Sequence, residues 1–175
     1  MVEGKENRRF FHIEKIISGG QTGVDRAALD VALELGISCG GWCPKGRKAE
    51  DGPIDTHYPL RETTSPDYPV RTGRNVRESD GTLILAKGHP KAGTALTIKF
   101  AQKHKKPYLV RDPFVRKDLG TVRMWLKVNR IRVLNVAGPR ESEIPGIHDR
   151  SLEFLKDLFT TPEACQEQQT PPQQT

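Results

Sequence analysis

The sequence predicts an α/β fold, a three-layer sandwich with helices on both faces of a mainly parallel sheet. Two observations predict it. Short apolar runs (KIIS, TLILA, RVLNVA) alternate along the chain with longer segments of helical periodicity. Strands buried on both faces read as unbroken apolar runs, and strands joined by helical crossovers pair in parallel. In addition, three βα junctions carry glycine beside hydroxyl or basic residues: Ser18 to Gly23, Lys87 to Thr94 and Gly138 to Ser142. Ligands of such sheets bind outside the carboxyl ends of the strands.

The first strand is expected at Lys15 to Ser18, after an N-terminal extension over 1–14 that includes Phe10, Phe11 and Ile13. Ser18-Gly19-Gly20-Gln21-Thr22-Gly23 then makes a tight turn into a helix, with Val24, Ala27, Ala28, Val31, Ala32 and Leu35 on one side and a stop at Gly36. Glycines let a ligand approach the main chain, and the first N–H groups of a helix lack internal partners, so an anion fits there. The spacing G-G-x-x-G is neither the dinucleotide nor the Walker pattern and names no cofactor. The plain alternative is an ordinary tight βα connection.

Ile37 to Trp42 is expected as a second strand, parallel to the first. A long polar loop follows, from Pro44 to Pro69, with Glu50, Asp51, Asp55 and His57 in it. Loops of this length inside a compact domain are uncommon and often functional. A helix over Arg71 to Ser79 precedes the strand Thr82 to Ala86. Next come a helix over Ala95 to Lys105, a strand over Pro107 to Val110, a helix over Val115 to Asn129, a strand over Arg132 to Ala137 and a last helix over Ile147 to Phe159. The whole reads as one Rossmann-like domain over 15–159. The Gln-, Pro- and Thr-rich segment 160–175 is too poor in apolar residues to pack and is expected to be disordered.

Composition narrows the function classes. The chain has 175 residues, 35% hydrophobic and 29% charged, enough for one domain with a real core. No apolar run reaches the roughly 18 residues of a membrane span, and no signal peptide is evident, so a cytoplasmic address is expected. Cys39, Cys43 and Cys165 suit neither a disulfide framework nor zinc spacing, and no structural metal is expected. A net charge of +6 raises nucleic acid as a partner, yet the basic residues are scattered and aromatics make up only 6%. A small anionic ligand explains the balance at least as well.

Arg71, Arg74 and Asn75 share one helical side by the i, i+3, i+4 rule, where guanidinium groups are able to grip a phosphate and Asn75 to orient a ring edge. Thr72 is an additional donor. The plain reading is a solvated basic face. Asp25, Asp51 and Asp80 are the candidate general bases, with Glu50 and Asp55 beside them. Asp25 reads equally as a first-turn helix acid, and Asp80 as a turn residue. His57 reads mainly as a surface residue, and Trp42 and Tyr58 as ring-stacking candidates or as core.

ISGGQTGVDRAALDVALELG, GGWCPKGRKAEDGPID, YPLRET, Arg71-Thr72 with Asn75-Val76, SDGTLIL, Gly93-Thr94 and NVAGPRES closely resemble the family of putative molybdenum carrier proteins. The resemblance runs from about Lys15 to Leu158. It implies binding of the molybdenum cofactor, a phosphorylated pterin with a dithiolene-held metal. That family in turn is similar to the Rossmann-like LOG phosphoribohydrolases and DprA, whose later loop reads P-G-G-x-G-T-x-x-E. Gly93-Thr94 matches the Gly-Thr pair, but Thr97 stands where the catalytic Glu would be. A hydroxyl neither stabilises an oxocarbenium ion nor activates water well, so hydrolysis would need a relocated carboxylate.

The leading expectation is therefore a carrier for a small phosphorylated ligand, molybdopterin or nucleotide. Ser18, Gly19, Gly20, Gln21, Thr22, Gly23, Gly93, Thr94, Gly138 and Arg140 would supply oxyanion contacts, and Arg71, Thr72, Arg74 and Asn75 would complete the cleft. A LOG-like nucleotide hydrolase is the second reading and a nucleic-acid-binding module the third. A homo-oligomer is expected, because the long polar loop has little else to cover it.

Overall fold

The computed structural model describes residues 13–115 and 119–160. Phe10, Phe11, Cys165 and all of the expected disordered tail but Thr160, which is helical, lie outside the described residues. Ile13, assigned above to the extension, is instead buried in the core. The elements in order are β1 (Lys15–Ile17), α1 (Val24–Glu34), β2 (Ser38–Gly40), β3 (Trp42–Cys43), β4 (Lys48–Ala49), β5 (Gly52–Pro53), β6 (Arg61–Glu62), α2 (Tyr68–Arg77), β7 (Gly81–Leu85), α3 (Ala92–Lys103), β8 (Tyr108–Arg111), α4 (Leu119–Val128), β9 (Val133–Ala137) and α5 (Ile147–Thr160).

Five strands form the central sheet in the order β2-β1-β9-β7-β8, and every pairing in it is parallel. The last strand, β9, thus lies in the middle. In-register partners in a parallel sheet point to the same side, and alternate residues along a strand to opposite sides. Ile16, Leu83, Leu85, Leu134 and Val136 accordingly join one apolar cluster with residues of α1, α4 and α5. That cluster contains no residue of α2 or α3, which pack on each other, α3 also meeting β7. The two helix groups therefore cover opposite faces. On the α2–α3 side the row Ile17, Asn135, Thr82 is partly polar, and the Asn135 amide donates to the Thr82 hydroxyl at 3.2 Å.

The expected second strand, Ile37 to Trp42, is in fact two. Gly41 adopts φ +127° and separates β2 from β3, and β3 pairs with β6 outside the main sheet. A side chain on Gly41 would collide with the main chain of Ser18. The sharp bend is what lets the chain turn over the end of β1.

The long segment after β3 is not a bare loop. It holds the parallel pair β3–β6 and the antiparallel pair β4–β5. Arg47 ties it together by donating to the carbonyls of Ile54, Asp55, Tyr58 and Leu60. Ile54, Tyr58 and Leu60 form a second small core with Leu29 and Cys43. The α2 helix begins earlier than expected, at Tyr68, because Pro69 suits the first turn.

Gly41→Ala should lower stability by about 2–4 kcal/mol, since it combines a disfavoured φ with a main-chain clash. Urea unfolding would show the midpoint falling with an unchanged slope.

Candidate functional site

At the carboxyl edge of the sheet, the turns after β1, β7 and β9 and the start of α2 surround a cleft of about 270 Å³, near the lower size limit for small-molecule sites. Its lining includes Gln21, Asp25, Tyr68, Arg71, Thr72, Ala92, Gly93, Thr94, Thr97, Gly138, Arg140 and Glu143. The expected residues Gln21, Asp25, Arg71, Thr72, Gly93, Thr94, Gly138 and Arg140 thus meet in one place.

Of the three helix N-termini at the cleft, those of α1 and α3 differ in availability. At α1, Val24 N–H donates to the Pro139 carbonyl, Arg26 N–H to Gln21 and Ala27 N–H to Gly23. Gly23, at φ +76°, lies so close to the main chain of Pro139 to Glu141 that no Cβ would fit. The Asp25 carboxylate, 2% exposed, pairs with Arg71 at 3.0 Å and takes further hydrogen bonds from the backbone at Gln21 and Gly138. The protein thus sets its own carboxylate on the backbone donors of the turns after β1 and β9. Burial pushes the Asp25 pKa above the ordinary carboxylate value, against the opposing pull of Arg71.

At α3 the position is open. Thr94 and Ala95 donate to Lys91, while the N–H groups of Ala92 and Gly93 find no acceptor among the described residues. Ala92 is held at φ +43°, a costly conformation for a residue with a side chain. A Cβ added to Gly93 would meet nothing within 4 Å.

Around this open terminus the side chains are mostly donors. Tyr68 lies between three cations, with Lys48 Nζ 5.5 Å, Arg140 5.8 Å and Arg71 5.9 Å from its ring centre. Arg140 also pairs with Glu143 at 3.3 Å. Thr97 donates its hydroxyl to the Gly93 carbonyl at 3.1 Å and so braces the first turn of α3. Gln21 is 6% exposed. Its Oε1 accepts the N–H groups of Thr22 and Glu50, both at 3.0 Å, while its Nε2 has no partner.

A model of the circularly permutated YpsA SLOG family matches residues 16–159. This chain belongs to that family. It is also similar, with 46% identity and a TM-score of 0.82, to a crystal structure at 1.45 Å of a protein from Syntrophus aciditrophicus SB described as a putative molybdenum carrier protein. The match covers 83% of this chain and 94% of that one. No curated protein matches the chain.

In this member of the YpsA SLOG family, several expected contacts fall outside the cleft. Ser18 donates its hydroxyl to Val136 and its N–H to Gly40, so the sheet consumes both. Gly19 and Gly20 serve close packing, the first beneath Arg71 and the second against Ile54 and Leu60. Asn75 spends its amide on the Trp42 main chain, accepting at 2.7 Å and donating at 3.0 Å. Arg74 stacks on Trp42 at 4.3 Å, opposed by Arg61 at 4.2 Å. One turn beyond Arg71, α2 has already passed the cleft and faces β3. Asp80 accepts the N–H groups of Arg132 and Val133 and fastens the start of β9, at the opposite end of the sheet. Asp55 pairs with the exposed His57 at 2.8 Å. Neither Cys39 nor Cys43 lines the cleft, and burial raises both thiol pKa values. The aromatic residue that does line it, Tyr68, was legible only as the residue before Pro69.

Thr22, Gly23, Arg26, Glu50, Asp51, Ser142 and His148 border a separate, wider hollow of about 700 Å³. Its acids are engaged, Asp51 by Arg26 and Glu50 by Thr22 and Ser142. His148 reaches Asp30 through Nε2 and Asp149 through Nδ1, both at 2.9 Å, and Tyr58 donates to the same Asp30 at 2.6 Å. The hydrogen bond to Asp30 leads the contributions that push the His148 pKa up to about 9.

The stabilisation from protonated His148 is full below its ordinary pKa of 6.5 and is lost as pH rises through about 9. Thermal midpoints measured across that window should fall with pH, and His148→Gln should remove this part of the decline.

Proposed function

We propose that this protein binds a small phosphorylated heterocycle in the cleft, with the phosphate at the N-terminus of α3 and the ring toward Tyr68 and Gln21. The observation that carries the reading is the contrast between the two helix ends. At α1 the Val24 N–H is spent on Pro139 and the Asp25 carboxylate lies buried against the neighbouring turns, while α3 keeps the Ala92 and Gly93 N–H groups open in a cleft that Arg140 also lines. Backbone donors, a helix dipole and a guanidinium together make an anion site. The unpartnered Nε2 of buried Gln21 in the same cleft supports an occupant with an acceptor of its own.

The molybdenum cofactor is our first choice of ligand, and carriage its role. The description of the Syntrophus protein supports this. Cys39 and Cys43 stand apart from it, so the cofactor would be held through phosphate and pterin and not by a protein thiolate.

A hydrolase is the second reading, and it rests on Asp25, a carboxylate with raised pKa inside the cleft. Its engagement with Arg71 favours the carrier. Release of free base from a nucleoside monophosphate, lost in Asp25→Asn, would reverse that order.

Native mass spectrometry and calorimetry with molybdopterin cofactor and a panel of nucleoside monophosphates test the proposal. Gly93→Ala, whose added methyl meets only open space, should leave the melting temperature unchanged yet weaken binding about tenfold or more. Arg140→Ala should weaken it by about 1.5–3 kcal/mol, the scale of a hydrogen bond to a charged group. Unaltered affinity in both variants would place the ligand elsewhere.

A further inference from the structure

The geometry points to Gln21 as a specificity-determining residue that, with Arg71, selects an oxo-heterocycle over its amino counterpart. This assignment rests on the cleft being the ligand site proposed above.

The orientation of the Gln21 amide is settled by its surroundings. Two main-chain N–H groups, of Thr22 and Glu50, converge on one side-chain atom, and only the oxygen is able to accept both. The nitrogen is therefore left as a donor, buried and without a partner. Arg71 offers a second such donor: its Nη1 is engaged by Asp25, while its Nε is likewise buried without a partner. Both residues line the same cleft, and because solvent does not reach these two nitrogens in the empty protein, an occupant meets them through a small shift of the cleft wall. A buried donor left unmade costs about 1–3 kcal/mol, so an occupant that supplies acceptors is favoured over one that supplies donors.

The sheet order sets which part of the ligand these donors meet. Gln21 follows β1, Gly93 follows β7, and β9 runs between those strands, so the two turns stand roughly 10 Å apart at two strand spacings. With the phosphate on α3, the far end of a mononucleotide-sized ligand reaches Gln21 and Arg71. That end is the heterocycle. A 6-oxopurine presents two adjacent acceptors, O6 and N7, along its N7 edge, and a pterin shares the oxo acceptor, whereas a 6-aminopurine presents one acceptor and one donor. Two donors match the first pattern and reject the second.

Matched ligand pairs test this: inosine against adenosine 5′-monophosphate, and guanosine against 2,6-diaminopurine riboside 5′-monophosphate. Within each pair the change that matters is oxo to amino at position 6. Calorimetry should show the oxo member binding about tenfold or more tightly. Gln21→Glu keeps an acceptor for Thr22 and Glu50 but removes the donor, so the oxo-to-amino ratio should fall toward one; the buried charge beside Asp25 should also lower the melting temperature, so binding is read well below it, where circular dichroism shows the variant folded. Reading the ratio cancels the effect of the added charge on the shared phosphate.

Equal binding within both pairs would overturn the inference and leave the phosphorylated-ligand reading standing. A ratio unchanged in Gln21→Glu would remove Gln21 as the reader. Binding of none of the four nucleotides would also overturn it, and the molybdopterin arm would then decide the broader proposal by itself.

Discussion

The buried pair of Asp25 and Arg71 is the interaction on which the site depends. Asp25 belongs to the first turn of α1 and Arg71 to the first turn of α2, on opposite faces of the sheet, and the two meet over Gly19 at the end of β1. The glycine is required because any side chain there would overlap the guanidinium. The pair therefore fixes the distance between α2 and the first βα turn, which are two walls of the cleft. Removing either partner would strand a charge in a site that excludes water, at a cost of about 3–5 kcal/mol.

The same pair decides where a ligand is able to go. A glycine-rich turn before a helix invites an anion, and here the invitation is answered from within the chain. The electrostatic opportunity passes to α3, whose first turn Thr97 braces and whose approach Gly93 leaves clear. Thr97, which the resemblance to the LOG enzymes puts at the place of their carboxylate, hydrogen-bonds its own helix, and this favours the holding role proposed above over hydrolysis.

The order of strands and helices was legible because each apolar run is short and each helical period is long. What escaped the sequence was set by contacts between distant segments. The break at Gly41 follows from the nearness of Ser18, which no local pattern encodes. Arg71 was legible as a cleft residue from helical spacing and Thr72 only as an additional donor, but the same spacing carried Arg74 and Asn75 too far, since helix periodicity says which residues share a side and not where the neighbouring surface ends. Tyr68 and Glu143 gained their positions from the turns after β6 and β9, and Gln21 was legible as a polar turn residue but not as a donor held in one orientation.

The position of β9 bears on how the molecule is made. Its neighbours β1 and β7 are separated by more than sixty residues and touch β9 on either side, so neither half of the sheet is joined to the other until the segment Val133–Ala137 is in place. Until then, a growing chain carries two unpaired strand edges with apolar faces, the kind of surface that recruits other chains. The cleft is made of turns from both halves and comes into being only with that last insertion, so a nascent chain would be unable to capture the proposed ligand early, and binding of that ligand would report a finished fold.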